Sequence, residues 1–216
     1  MSSTGRGQKI DPSGMDDYPT PAWVVHRLLE WWTPRPGVWV EPCAGTGALV
    51  RSVNSCIPGH TPAWRTYEVN PDKVAEFDRL MKGHPRVCCA DFLDTPSNIV
   101  DRENCTAVIT NPPFLKAVAF ILKCRELYPN AEVLMLLRVG LMESDSRAEF
   151  WRSVGTPDLG VLPNRPSFQN TATGALRTDS TVYSWFVWPP ATEPPRSEGT
   201  VKLLNQTSLD DRKLWR

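Results

Sequence analysis

Four consecutive residues, Asn111-Pro112-Pro113-Phe114, have the chemistry to bind a planar group that carries an amine. They follow the apolar run 106–110, which predicts a buried strand. Proline fixes φ and has no N–H, so the carbonyl oxygens beside it are held as acceptors. The Asn111 side-chain oxygen and the Pro112 carbonyl oxygen can each accept one N–H of an exocyclic amine, while Phe114 offers a flat stacking face. A proline turn that merely ends a strand has the same composition, and that alternative stays open.

A glycine-containing loop at residues 41–47 lies between a strand pattern at 37–41 and a helical pattern at 46–56. Glycines permit a tight turn and close approach of the backbone to a ligand, and the N-terminus of the next helix points N–H groups at it. The loop lacks the third glycine of the dinucleotide fingerprint and the Lys-Ser/Thr pair of a phosphate-binding loop. Both usual nucleotide motifs are therefore disfavoured. The loop residues are Glu41, Pro42, Cys43, Ala44, Gly45, Thr46 and Gly47.

Acidic residues close the next two predicted strands. Glu68, followed by Val69, lies about twenty residues beyond the glycine loop, where a ribose-binding carboxylate falls in nucleotide-binding α/β folds. Asp91 suits recognition of an adenine amino group, with Phe92 packed against the ring. Taken singly, each acid is more often a solvated residue at a strand end. The order of glycine loop, two acids and Asn-Pro-Pro-Phe favours one shared site.

The hydrophobic pattern alternates strand and helix along the chain. It predicts an α/β fold with a mostly parallel seven-stranded sheet and helices on both faces, in which ligands bind at the carboxyl ends of strands. We expect a disordered segment at 1–14, one domain at 15–188 and a Pro-rich charged tail at 189–216. Helices are predicted at 21–32, 46–56, 71–82, 115–127 and 144–154, and strands at 37–41, 66–69, 87–91, 107–111, 132–138, 159–162 and 181–188. Trp185, Phe186 and Trp188 are predicted core residues.

Composition narrows the class of partner. The chain has 216 residues, with 24 Lys+Arg and 24 Asp+Glu, so its formal net charge is zero. The length fits one domain, and the charge balance argues against a protein held to nucleic acid mainly by a generally basic surface. A local basic face stays compatible with this balance, because arginines recur in the second half. They are Arg138, Arg147, Arg152, Arg165 and Arg177.

Cysteine and histidine usage predicts no metal site. The six cysteines lack the paired spacing of zinc ligands, and the three histidines are dispersed. Free cysteines fit a reducing compartment. No apolar run approaches the ~20 residues of a membrane span, and the N-terminus lacks the apolar stretch of a signal peptide. We therefore expect a cytoplasmic protein with no membrane partner.

The motifs together resemble those of class I S-adenosylmethionine-dependent methyltransferases, specifically the enzymes that modify adenine N6 in DNA. Residues 41–47 are similar to their cofactor motif, Asn111-Pro112-Pro113-Phe114 is similar to their catalytic motif, and residues 17–21 resemble the element that closes over the methionine end of the cofactor. The resemblance spans about 16–188. It implies catalytic roles for Asn111, Pro112, Pro113 and Phe114, and cofactor contacts from Tyr18, Thr20, Pro21, Glu41, Pro42, Cys43, Ala44, Gly45, Gly47, Glu68, Val69, Asp91, Phe92 and Asn111.

A looser resemblance, through residues 165–168 and 178–188, connects the chain to small phage-borne adenine methyltransferases. It implies a DNA adenine partner, a bacterial or phage-infected host cell and a link to restriction–modification. Target contacts are then expected from Phe114, Arg165, Phe168, Arg177 and Asp179. The chain departs from the larger family in having only a short region, about 155–181, where an extended target-recognition domain would stand. The short region therefore predicts relaxed site specificity, a short site read by loops such as 55–64 and 163–179, or a homodimer.

Three competing interpretations remain. The same Asn-Pro-Pro-aromatic chemistry serves methylation of RNA adenine or of a protein glutamine. A catalytically silent subunit that binds S-adenosylmethionine is disfavoured by the intact motif. A Rossmann-type NAD oxidoreductase is disfavoured because Asn-Pro-Pro-Phe has no role in hydride transfer. The mechanism expected for methyl transfer relies on positioning an amine lone pair and assigns no general base to Asn111.

Overall fold

The computed structural model describes residues 19–83, 86–98, 104–169, 176–178 and 181–214. Its strands are β1 (Val38–Glu41), β2 (Ala63–Glu68), β3 (Cys88–Cys89), β4 (Cys105–Thr110), β5 (Glu132–Arg138), β6 (Asp158–Val161), β7 (Ser167–Gln169), β8 (Leu176–Thr178), β9 (Tyr183–Trp188) and β10 (Val201–Leu203). Eight of them form one sheet in the order β10-β6-β9-β5-β4-β1-β2-β3, and β7 pairs with β8 as a separate antiparallel ladder. In the large sheet only β9 runs antiparallel to its neighbours.

Helices cover both faces of the sheet. One buried cluster joins the sheet to the first three helices, and a second cluster on the other face includes the apolar side of the fourth helix, Ala117–Leu127. The alternating side chains of β9 separate the two, because Trp185 belongs to the first cluster whereas Phe186 and Trp188 belong to the second. The helices are α1 (Ala22–Trp31), α2 (Ala48–Cys56), α3 (Pro71–Leu80), α4 (Ala117–Leu127), α5 (Ala148–Val154) and α6 (Leu209–Leu214).

The aromatic residues of β9 are core residues, as predicted. Trp185, Phe186 and Trp188 are all fully buried. The two indole N–H groups are satisfied, because Trp185 Nε1 donates to the Val24 carbonyl at 3.0 Å and Trp188 Nε1 donates to the Gly155 carbonyl at 3.1 Å. These hydrogen bonds avoid the cost of about 1–3 kcal/mol for an unsatisfied buried donor. They also tie the central antiparallel strand to α1 and to the end of α5.

The sheet has eight strands rather than the predicted seven. The additional strand, β10, comes from the segment predicted to be a tail, and it pairs in parallel with β6. Asp158 fastens this segment by accepting hydrogen bonds from the Thr200 backbone N–H at 2.7 Å and from Arg196 at 3.1 Å. Burial acts to raise the pKa of Asp158, but these hydrogen bonds outweigh it and the pKa lies below its ordinary value. The ladder between β7 and β8 was likewise not predicted.

The sheet brings the predicted motifs to one edge. Strand β1 pairs in parallel with β2 on one side and with β4 on the other, and β3 extends the parallel run beyond β2. Since parallel strands finish at the same edge, the residues that follow them become neighbours there. No helix in the described ranges is long and apolar enough to span a membrane.

Candidate active site

The glycine loop makes a tight left-handed turn into α2. Gly47 is the N-cap of α2, with φ of +84°, and a Cβ at this position would lie 3.0 Å from the Phe77 ring and 3.2 Å from Met81. Gly45 also has a positive φ, +52°, but a Cβ there would meet no described atom within 4 Å. Gly47 is therefore required by packing and conformation together. Gly45 combines a glycine-favouring conformation with open space through which a ligand can approach the backbone.

Glu68 braces this loop against the end of β2. Its Oε2 accepts a hydrogen bond from the Gly45 N–H at 2.8 Å, and its Oε1 accepts one from the Asn70 N–H at 2.8 Å. The Ala44 N–H adds a bond to the Tyr67 carbonyl at 2.8 Å. An ionised carboxylate has about four lone-pair positions, so each oxygen keeps capacity for a second donor. Glu68, which the sequence predicts to bind ribose, is thus first a structural support of the glycine loop.

Val69 and Asp91, two further residues predicted to contact the cofactor, lie beside Glu68. Val69 follows Glu68 directly, and its apolar side chain is 51% exposed. Asp91 is partly exposed; its Oδ1 accepts from the Leu93 N–H at 2.9 Å, and its Oδ2 lies 3.9 Å from Lys116 Nζ. Since β2 and β3 are paired, these groups form one rim of open apolar and acidic surface.

The structure corrects the role predicted for Phe92. Its side chain is only 1% exposed and packs in the core, with ring centroids 5.1 Å from Tyr67 and 6.1 Å from Phe120. A ring buried on both faces offers no surface to a ligand. Phe92 instead anchors the segment that carries Asp91. The Asp91 carboxylate accepts a hydrogen bond from the Leu93 N–H, which holds it in place.

Glu41 is also withdrawn from the surface, contrary to the predicted direct contact with a cofactor. It is fully buried, its Oε1 accepts from the Cys43 N–H at 3.1 Å, and its Oε2 makes no hydrogen bond to a described residue. Burial raises the pKa of Glu41 to about 8, against the opposing effects of the Thr110 side chain and the Cys43 amide. Glu41 therefore supports the loop from beneath, largely as an uncharged acid at neutral pH. Pro42 and Ala44 are buried beside it, and burial raises the pKa of the Cys43 thiol.

The Asn-Pro-Pro-Phe motif follows β4 directly and contacts the N-terminal segment. Asn111 Nδ2 donates to Thr20 Oγ1 at 3.1 Å, and Pro21 is the N-cap of α1. The Pro113 carbonyl accepts from the Lys116 N–H at 2.9 Å. The motif thus places the Pro112 carbonyl next to a side-chain amide whose nitrogen is bound to Thr20, and the Asn111 oxygen is buried.

Phe114 is half-buried beneath a cation that the sequence did not assign to it. The Arg138 guanidinium carbon lies 4.4 Å from the centroid of the Phe114 ring, and Arg138 Nε donates to the Tyr183 hydroxyl at 3.3 Å. The rings of Phe114 and Tyr183 are 5.6 Å apart. Arg138 ends β5, the strand next to β4, so adjacent strand ends bring the two residues together. One side of the expected stacking ring therefore already carries a cation–π contact.

The other predicted target residues are not gathered around Phe114 by any described contact. Arg147 donates to three main-chain carbonyls of the 140–143 segment and so stabilises that turn, and Arg165 is exposed. Phe168 and Arg177 are paired across the ladder of β7 and β8 by their backbones. Tyr18 and Asp179 lie outside the described residues.

Metal-binding chemistry is not evident in the described ranges. No group of three or more His, Cys, Asp or Glu side chains there is arranged to hold a metal ion. The six cysteines are free thiols. The chemistry at this edge of the sheet therefore consists of carboxylates, an oriented amide, main-chain acceptors and aromatic surface.

Comparison of structures places this fold among methyltransferases. The sequence matches no protein-family model and no curated protein. A type I restriction-modification methyltransferase subunit from Streptococcus thermophilus superposes with a TM-score of 0.65 at 15% identity, over 91% of this chain and 52% of that one. A proposed class I S-adenosylmethionine-dependent methyltransferase from Listeria monocytogenes gives 0.60 at 15% identity, over 89% and 64%. A proposed RNA methyltransferase from Pyrococcus horikoshii gives 0.56 at 18% identity, over 85% and 92%.

These likenesses concern the fold, because all three identities are low. The chain spans about half the length of the Streptococcus thermophilus subunit. The chain has the Rossmann-like fold of class I methyltransferases.

Proposed function

We propose that this chain transfers the methyl group of S-adenosylmethionine to the exocyclic N6 amine of adenine in DNA. One observation carries the proposal: the oriented Asn111 amide and the Pro112 carbonyl lie at the end of β4, next to the glycine loop that follows β1. Two oxygen acceptors in a fixed backbone suit the two N–H groups of an amine. A role in restriction–modification is part of the proposal and rests on the type I neighbours.

The residues around the glycine loop fit S-adenosylmethionine. Glu68 has acceptor capacity left for ribose hydroxyls, the exposed Val69 suits one face of adenine, and Asp91 suits the adenine amino group. The open space at Gly45 admits the nucleoside close to the backbone. When bound, the cofactor supplies a methyl group already activated by the positive sulfonium. The buried Glu41, Pro42 and Phe92 hold the loop and strand ends in place rather than contacting the ligand.

Asn111 and Pro112 would act on the target adenine by positioning its amine. Hydrogen bonds from the amine to Asn111 Oδ1 and the Pro112 carbonyl would direct the nitrogen lone pair at the methyl group, and the same fixed oxygens would stabilise the positive charge that develops on nitrogen. The nitrogen loses one proton to water after transfer, which balances the reaction. A base in a duplex must be flipped out to reach these acceptors, at a cost of a few kcal/mol that stacking on Phe114 would partly offset.

RNA adenine is the second candidate acceptor. The proposed RNA methyltransferase is matched over 92% of its length, whereas the restriction-modification methyltransferase subunit is matched over 52%. In length, this chain is therefore closer to the proposed RNA methyltransferase. DNA is preferred here because the looser sequence resemblance at 165–168 and 178–188 is to DNA adenine enzymes. A homodimer would supply additional surface for the target and stays part of the proposal.

The experiment is transfer of labelled methyl from S-adenosylmethionine to unmethylated DNA, RNA and protein in parallel, followed by nucleoside mass analysis. We expect N6-methyladenine in DNA with the wild-type chain and none with Asn111→Ala. Cofactor binding is measured on both proteins by calorimetry. Methylation of RNA alone would replace the acceptor, and cofactor binding without transfer to any polymer would identify a silent subunit. Binding of NAD in place of S-adenosylmethionine would refute the proposal.

A further inference from the structure

The side-chain amide of Asn111 has two chemically different ends on one flat group. Its oxygen accepts hydrogen bonds and its nitrogen donates them, and the two occupy nearly the same volume. In the proposed reaction only the oxygen can receive an N–H of the target amine, because a donor facing a donor is repulsive. The amide therefore needs a contact that fixes its plane and its direction. This inference rests on the proposed function of Asn111.

The structure supplies that contact through Thr20. Asn111 Nδ2 lies 3.1 Å from Thr20 Oγ1, although the two residues are 91 positions apart in the chain. Thr20 is only 6% exposed, so water competes weakly for its hydroxyl. A hydroxyl can accept from the amide nitrogen or donate to the amide oxygen, so Thr20 fixes the plane of the amide. In this structure Thr20 accepts from the nitrogen, which places the Asn111 oxygen, itself buried, on the side away from Thr20.

Thr20 stands on a rigid support. It precedes Pro21, which restricts Thr20 to extended backbone, and its β-branched side chain has few rotamers. The helix that follows, α1, is fixed to the core by the fully buried Val24 and Val25, and the Val24 carbonyl accepts the Trp185 indole N–H at 3.0 Å. A hydroxyl on such a support can hold a partner without moving.

We propose that Thr20 is a positioning residue for the methyl transfer, which fixes the Asn111 amide with its oxygen toward the target amine. The sequence resemblance had implied a cofactor contact for Thr20 instead. The two roles predict different measurements. A positioning residue affects turnover, whereas a cofactor ligand affects the dissociation constant of S-adenosylmethionine.

The kinetic test compares Thr20→Val, which keeps the shape but loses the hydroxyl, with Thr20→Ser, which keeps the hydroxyl. We expect Thr20→Val to lower kcat about tenfold, equivalent to about 1.4 kcal/mol, with cofactor affinity within about twofold of wild type. Thr20→Ser should restore most of the loss. Thr106→Val is the matched control, because its hydroxyl bonds to the Arg35 carbonyl near the opposite end of β4. Loss of cofactor affinity in step with kcat, or equal loss in Thr20→Ser, would overturn the proposal.

A second measurement does not depend on activity. The side-chain NH₂ resonances of Asn111, assigned by their disappearance in Asn111→Ala, should shift upfield in Thr20→Val and stay near the wild-type positions in Thr20→Ser. Unchanged resonances in Thr20→Val would show that the hydroxyl does not hold the amide. If the wild-type chain transfers no methyl group, the proposed function fails while this measurement still decides whether Thr20 orients Asn111.

Discussion

Around the glycine loop, the contacts are made by main-chain N–H groups and carboxylates: Glu68 accepts from the Gly45 and Asn70 amides, and Glu41 accepts from the Cys43 amide. Around Phe114, the contacts run from side chain to side chain, through the Arg138 guanidinium and the Tyr183 hydroxyl. The first region is fixed by the path of the backbone. The second can change by rotation of side chains while the sheet stays intact.

This difference suits the two regions to different functions at one edge of the sheet. A loop held by backbone contacts is formed before its ligand arrives, which reduces the entropy lost on binding. A guanidinium over an aromatic ring contributes about 0.5–2 kcal/mol, little enough for an incoming planar group to replace it. We therefore expect substitutions near the loop to change stability and cofactor affinity. Substitutions near Phe114 should change the handling of the target.

The largest expected effect is on stability in the loop region. The pKa of Glu41 is raised from 4.5 to about 8, so the folded chain holds a proton that the unfolded chain has released between these pH values. The contribution of Glu41 to the free energy of unfolding is therefore fully present below about pH 4.5. It decreases as the pH rises above 4.5 and is lost once the pH has passed 8. Glu41→Gln imitates the protonated acid. Its unfolding free energy should lie within about 1 kcal/mol of wild type at pH 5 and exceed it by about 3–5 kcal/mol at pH 9, as measured by urea unfolding.

Glu76→Gln is the control for that experiment, because it removes an exposed carboxylate from α3. It should lack the large difference between pH 5 and pH 9. If the unfolding free energies of Glu41→Gln and wild type differ by the same amount at both pH values, the pKa of Glu41 is not raised by burial and water reaches its carboxylate.

Asn111→Ala should lower kcat for methyl transfer about 10²–10³-fold, because in the proposed reaction Asn111 supplies a preorganised acceptor for the reacting amine. Cofactor affinity, measured by calorimetry, should stay within about twofold of wild type. The comparison between the two regions would break if Asn111→Ala weakened cofactor binding as strongly as it slowed turnover. In that case the motif would belong to the cofactor region as well.

Glu68→Ala should show the reverse pattern. It leaves the Gly45 and Asn70 amides without their acceptor, and we expect S-adenosylmethionine affinity to fall about 10–100-fold, in line with about 1–3 kcal/mol for unsatisfied groups. Glu68→Gln keeps one acceptor oxygen and should lose less. Turnover at saturating cofactor should change little in either variant. Unaltered affinity in Glu68→Ala would show that the loop keeps its shape without this brace.

The smallest effect is expected at Arg138. Arg138→Met keeps the bulk over Phe114 but removes the cation, and KM for the nucleic acid should rise about 3–10-fold while kcat and cofactor affinity change little. Arg152→Met is the control, since the Arg152 side chain bonds to its own helix at the Ala148 carbonyl. A lower KM in Arg138→Met would mean that the guanidinium obstructs the target instead of receiving it.

Much of the fold follows from local patterns in the sequence. The predicted strand at 132–138 coincides with β5, because its continuous apolar run ends at charged residues on both sides. Strand β10 was not predicted, since Val201, Lys202 and Leu203 are all exposed and leave no periodic burial signal. A strand of three residues on the edge of a sheet depends on the surface that receives it. That surface is β6, which begins at Asp158 and lies about 40 residues before β10 in the chain; Asp158 accepts the N–H of Thr200, the residue before β10.

The arrangement of the site was predictable only where a residue's position on its strand decides its role. The glycine loop, Glu68, Asp91 and Asn111 all follow strand ends, and the topology of the sheet brings strand ends together. Phe92 was misassigned because an aromatic residue after an acid reads the same whether it faces a ligand or the core. The contact of Arg138 with Phe114 depends on rotamers, about which a single sequence carries no periodic signal.

The antiparallel strand β9 has a consequence for synthesis of the chain. It enters the sheet between β5 and β6, and it pairs with every residue from Val133 to Arg138. On a ribosome that adds ~5–20 residues per second, the apolar edge of β5 emerges roughly 2–9 s before β9 is available to cover it. During that interval the nascent chain exposes an unpaired hydrophobic strand, the kind of edge that associates with other chains. Chaperone dependence that is lost once β9 has emerged from the ribosome is the expected signature of this strand order.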